Sequence, residues 1–168
     1  MPDIAWGKKV GGPFKAKVIQ ISGGLGCDPS HLMAAMAFET GESFSPSIRN
    51  KMSGATGLIQ FMPKTAASLG TTIDALAAMS AVDQLDFVRK YLNPFKNRMK
   101  TLSDVYMTIL FPVAVGKPEA QVLFKKPSKT YEQNSGLDVN KDGQVTKGEA
   151  AAKVQAKLSK GLGADFRG

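Results

Sequence analysis

The chain has 168 residues, enough for one domain of ordinary size with a real interior. Hydrophobic residues make up 43% and charged residues 21%, a globular balance that excludes disorder of the whole chain. Lys and Arg number 22 against 14 Asp and Glu, a net charge of +8 that suits an anionic partner or simply a solubilising surface; the basic residues are scattered, with no dense run of the kind that marks a nucleic-acid footprint.

The opening segment, MPDIAWGKKVGGPF, has no apolar core of the signal-peptide kind, and no stretch approaches the ~20 apolar residues of a membrane span. Pro13 begins a helix that runs to about Leu25 and stops at the glycines around Gly23 to Gly26. Cys27 is the only cysteine, so no intramolecular disulfide forms, and it reads as structural or incidental. Asp28-Pro29 is a helix start, with Asp28 as N-cap and Pro29 in the first position. His31, the only histidine, reads as a first-turn surface residue. Leu32, Met33, Met36 and Ala37 follow at helical spacing as a buried face, and Gly41 supplies a stop.

Residues 42–62 read as loop and framework. Pro63 opens a short helix ending at Gly70, Thr72 caps another to about Ser80, and Val82 to Tyr91 is amphipathic until Asn93-Pro94 ends it. Leu102 to Val115 is strongly apolar, and Pro112 must kink or shorten it. A last helix spans about Thr146 to Lys160, and the tail GLGADFRG is expected to fray. No alternating strand pattern, repeat or long linker shows. The expected fold is mainly α, a single domain over residues 1–168.

Two chemical signals stand out. The first is Glu39, at the end of the apolar segment LMAAMAFE. A carboxylate there meets the negative end of the helix dipole and the apolar bulk of Met36 and Phe38, and both favour the protonated form. A protonated carboxyl near neutral pH is what a general acid needs, although helices also end in ordinary solvated glutamates. Glu42, beyond Gly41, is the rival or a second carboxylate of the site. Downstream, Gly57 permits a tight turn, and Gln60 is an amide inside the apolar run Leu58-Ile59-Gln60-Phe61-Met62, either hydrogen-bonded inward or aimed into a cleft.

The second is Asp138 to Glu149, which fits the twelve-residue EF-hand loop position by position. Asp138, Asn140 and Asp142 fall at 1, 3 and 5, and Gly143 falls at 6, where the chain turns sharply. Gln144 at 7 offers its backbone carbonyl, Thr146 at 9 ligates through water, and Glu149 at 12 is the bidentate ligand. Ca2+ is the expected cofactor. A surface Asx turn would explain Asn140 and Gly143 but not Glu149. The entering segment TYEQNSGL contains Gly136 and makes a poor helix, which points to a structural ion pinning the last helix rather than to a paired sensor. Tyr131 and Asn134 precede the loop.

ETGESFSPSIRN followed by SGATGLIQFMPKTA resembles the lytic transglycosylase motif, in the variant of phage endolysins and virion lysins related to goose-type lysozymes. The resemblance implies a lysozyme-like α fold with a cleft. It implies cleavage of peptidoglycan glycan strands at the β-1,4 bond between N-acetylmuramic acid and N-acetylglucosamine. Glu39 takes the catalytic place, and Gly57, Leu58, Gln60 and Met62 match the signature that lines the cleft, with Gln60 on the sugar. Here Thr40 stands where serine is usual, and the later Tyr-Asn-Ala-Gly signature is missing. Tyr91 and Tyr106 are the aromatic candidates for the cleft, against core packing with a satisfied hydroxyl. A monomer is expected, made in a host cytoplasm without a signal peptide and acting on the cell wall after release, or carried on a virion. The product, anhydro or hydrolysed, stays open. The alternatives are a non-catalytic glycan-binding module or a calcium-stabilised virion structural protein of the same fold.

Overall fold

The computed structural model describes all 168 residues. Eight α-helices and two short strands follow in chain order: α1 (Gly12–Leu25), α2 (Pro29–Glu39), α3 (Pro63–Ser68), α4 (Ile73–Ala78), α5 (Ala81–Leu92), α6 (Leu102–Leu110), β1 (Val122–Lys125), α7 (Lys129–Asn134), β2 (Gln144–Thr146) and α8 (Lys147–Gly161). The fold is mainly α. No helix is long and apolar enough to cross a membrane.

Local chemistry sets the helix starts. Asp28 accepts a hydrogen bond from the Ser30 amide at 2.8 Å, Thr72 from Ala75 and Ser80 from Asp83. Thr101 and Thr146 each open a reciprocal capping box, with Asp104 and Glu149. The expected stop at Pro112 is also observed: α6 ends at Leu110, and Pro112–Ala114 is a short 3-10 turn. Proline lacks the amide that would bond the Thr108 carbonyl four residues back. The Tyr91 hydroxyl donates to that carbonyl instead.

α2 is the central element. Seven of its eleven residues are buried, Ala34 and Ala35 along with the expected face, so it is enclosed on nearly every side rather than amphipathic. It packs against α1, α6 and α8, within one contiguous core that runs from Ile4 to Leu158.

Two expectations fail. The tail does not fray: Ile4 and Gly168 exchange backbone hydrogen bonds of 2.9 and 3.2 Å, and Lys8 N–H donates to the Phe166 carbonyl at 3.0 Å. Phe166 packs on Trp6 with ring centres 4.7 Å apart, and the Trp6 indole donates to the Lys157 carbonyl. Trp6 lies so close to Gly161 that a Cβ there would sit 2.3 Å from the indole nitrogen. The two ends hold one another by contacts that no local pattern in the tail encodes. Strands are the second correction. β1 and β2 pair antiparallel, with Phe124 opposite Val145 and Lys125 opposite Gln144. They were invisible to periodicity because three or four residues hold too little alternation to register.

Candidate active site and the 138–149 loop

Glu39 is the last residue of α2. No hydrogen bond or ion pair from the protein reaches its carboxyl, and burial pushes its pKa up to about 7. Phe38 and Tyr106 form one wall, edge to face with ring centres 5.6 Å apart. Tyr106 is 4% exposed. Burial first, and then the charge of Glu39, raise the Tyr106 hydroxyl far above its ordinary value.

The backbone after Glu39 is tightly determined. The Thr40 hydroxyl donates to the Met36 carbonyl at 2.7 Å and accepts from the Phe44 amide at 2.9 Å, so threonine in the place of serine still supplies a buried hydroxyl cap. Glu42 and Phe44 hold left-handed φ of 69° and 50°, and Gln60 holds 56°. Non-glycine residues in that region are strained, and strain held by surrounding contacts gathers at functional sites. Glu42 accepts from Lys157 and from Lys160, the latter at 2.7 Å. These bonds, Lys157 first, hold its carboxyl below the usual range. Glu42, whose role the sequence left open, ties the loop after α2 to α8 through these two lysines.

The signature segment forms a tight loop, with Thr56 and Phe61 exchanging backbone hydrogen bonds of 3.0 and 2.9 Å. Gln60, Met62 and Tyr91 line one small groove of about 50 Å³, together with Ile59, Phe61, Thr65 and Ile109. Gln60 Nε2 donates to the Ile48 and Gly57 carbonyls at 3.2 and 3.1 Å; its amide oxygen has no protein partner. Met62 is exposed. Glu39 does not line this groove; Ile109, which does, lies on α6 three residues after Tyr106, whose hydroxyl feels the Glu39 charge.

Gly57 and Leu58 are placed otherwise. Leu58 is fully buried, and a Cβ on Gly57 would lie 2.3 Å from the Gln84 amide oxygen. They shape the loop from behind; the Leu58 side chain has no surface to offer a ligand. Tyr91 stands at the groove, yet its hydroxyl is committed to Thr108.

Gln84 was missed. It is fully buried, accepts from the Leu58 amide at 2.7 Å, and donates to the Pro46 and Leu76 carbonyls at 2.9 Å each. One amide thus ties two loops and α4 to α5. The signal was there: positions 84, 88 and 92 fall on one face, and Val88 and Leu92 are apolar. Also unforeseen is a buried ion pair between Lys147 and Asp104 at 2.6 Å, both side chains at most 5% exposed. Burial works against the Asp104 charge, but Lys147 and the Gly116 amide outweigh it and hold its pKa down.

Cys27 is half-buried, and burial raises its thiol pKa. His31 is also half-buried, with Nδ1 enclosed and unpartnered.

The 138–149 loop is compact. Asp138 is 6% exposed. Its Oδ2 accepts from the Tyr131 hydroxyl at 2.7 Å and the Gly143 amide at 3.0 Å; its Oδ1 is buried without a partner. The Tyr131 hydroxyl is thereby tied to the loop. Asn140 accepts from the Asp142 amide, and Asp142 from the Gln144 amide. Glu149 Oε2 accepts from Val139 at 2.9 Å, and Oε1 closes the Thr146 capping box. Lys141 and Gly143 take left-handed φ of 57° and 86°. The entering helix α7 is only six residues long, as Gly136 foretold.

No protein-family model matches the chain, and no curated protein matches it.

Proposed function

We propose that this protein cleaves peptidoglycan glycan strands between N-acetylmuramic acid and N-acetylglucosamine, with Glu39 as general acid and then general base. One observation carries the reading: a carboxyl at the end of a buried helix, without a hydrogen-bond donor or a cation, holds its proton up to about pH 7. That proton suits the bridging oxygen of a glycosidic bond, which must be protonated as it leaves. Gln60 and Met62, in a small groove that also holds Ile109 of α6, supply an open amide oxygen and an apolar wall for a sugar ring. The net positive surface suits an anionic wall.

The chemistry runs with a single carboxyl, because Glu42 is committed to Lys157 and Lys160. Glu39 gives its proton to the leaving oxygen, and the substrate's own groups stabilise the oxocarbenium-like centre. The resulting carboxylate then removes a proton, either from the muramic 6-hydroxyl, closing a 1,6-anhydro ring, or from water. The lysozyme-like arrangement of the fold belongs to the same reading.

Mass spectrometry of soluble muropeptides from purified peptidoglycan tests it. The wild-type protein releases fragments, with anhydro ends for a transglycosylase and reducing ends for a muramidase. Glu39→Gln, folded by circular dichroism, releases none. Equal release by the two proteins, or none by the wild type, overturns the assignment. Pull-down of peptidoglycan without cleavage by the wild type would favour a glycan-binding module.

A further inference from the structure

We infer that the loop from Asp138 to Glu149 binds a calcium ion, in a site separate from Glu39 and independent of the glycosidase reading. The twelve-residue spacing supplies oxygen donors at the required positions, and Gly143 takes the left-handed turn at the sixth. The independent observation is Asp138. Its carboxylate is nine-tenths buried, and while Oδ2 is fixed by Tyr131 and Gly143 inside the loop, Oδ1 is enclosed with no donor at all. The Asp142 and Lys141 amides also act on this carboxylate, but neither makes a hydrogen bond to Oδ1; a buried carboxylate oxygen without such a partner is costly, and a cation fits it.

The protein offers no cation of its own. With 22 Lys and Arg in the chain, none forms an ion pair with Asp138, Asp142 or Glu149. Lys147, inside the loop, turns away to Asp104 and the Lys117 carbonyl. Lys126 lies over the Tyr131 ring, 5.5 Å from its centre. The three carboxylates are not drawn onto one point: Glu149 faces the Val139 and Asn140 amides. Binding therefore requires Glu149 to exchange those amides for the ion, a local rotation at the first turn of α8. Hard oxygen donors in a pliant loop suit calcium better than magnesium, which demands a smaller octahedron and sheds water reluctantly.

Calorimetric titration of chelator-treated protein with calcium chloride provides the test. One ion binds per chain, and the melting midpoint rises by roughly 5–10 °C at about a hundredfold excess of calcium over its Kd. Terbium, bound in place of calcium, luminesces on excitation of Tyr131 and is displaced by calcium. Asp142→Asn, at an exposed position that leaves folding intact, weakens calcium binding at least about tenfold and removes the luminescence. No heat of binding at millimolar calcium, together with identical melting in calcium and in chelator, overturns the proposal. So does unchanged affinity in Asp142→Asn.

Discussion

Glu39 and Asp138 are both largely enclosed carboxyls, and they are held in opposite states. Around Glu39 the protein places Phe38, Tyr106 and the end of a buried helix, with no donor, so desolvation decides and the pKa climbs. Around Asp138 it places the Tyr131 hydroxyl first and then the Gly143, Asp142 and Lys141 amides, and these hold the carboxyl below its usual range despite burial. Burial alone does not fix the charge of a carboxyl; the count of donors aimed at it does. One arrangement favours the protonated carboxyl, and the other the charged one. Glu42, three residues from Glu39, repeats the contrast at short range, since two lysines drive it down.

Variants break the contrast at either side, and the largest effect falls on catalysis. Glu39→Gln lowers lysis, read as turbidity loss of permeabilised Gram-negative cells, by about 100- to 10,000-fold, the usual worth of a general acid. Lys147→Ala leaves Asp104 charged, buried and unpaired, and costs about 3–5 kcal/mol in urea unfolding. Stability against pH separates the two kinds of carboxyl. Glu39 binds its proton more tightly folded than unfolded, so its contribution is present below about pH 4.5 and is lost as pH rises through about 7. The loss is on the order of 3 kcal/mol, and Glu39→Gln abolishes it, making the variant the more stable protein at pH 8. Asp138 and Glu149 run the other way. Both are depressed: Asp138 chiefly by Tyr131; Glu149, against burial, by the Thr146, Asn140 and Val139 donors. Their contribution is present above the ordinary carboxylate range and is lost on acidification. The smallest effect belongs to Lys160→Ala, a partly exposed partner of Glu42: at most about 1 kcal/mol, with lysis within a few-fold of wild type.

What the sequence disclosed follows from the range of the forces involved. Asp28-Pro29, Thr72 and Thr146 mark helix starts because capping acts over two or three residues. The 138–149 loop is readable because its oxygen-bearing side chains all fall within twelve positions. Glu39 was legible as the end of an apolar segment, but the emptiness around its carboxyl was not, since Tyr106 comes from another helix. The Lys147–Asp104 pair joins residues 43 positions apart, and the Trp6 indole reaches across 151; neither leaves a local trace. Leu58 and Gly57 show the converse: they share one loop with Gln60 and Met62, yet only Gln60 and Met62 line the groove.

The most direct measurement is the titration of the Glu39 carboxyl itself, by carbon-13 NMR of glutamate-labelled protein with Glu39→Gln identifying the resonance. An enclosed carboxyl without donors gives a midpoint of about 7, matched by lysis that declines as pH rises through the same value. A midpoint at the ordinary 4.5 would mean that Glu39 is already ionised at neutral pH and has no proton to give.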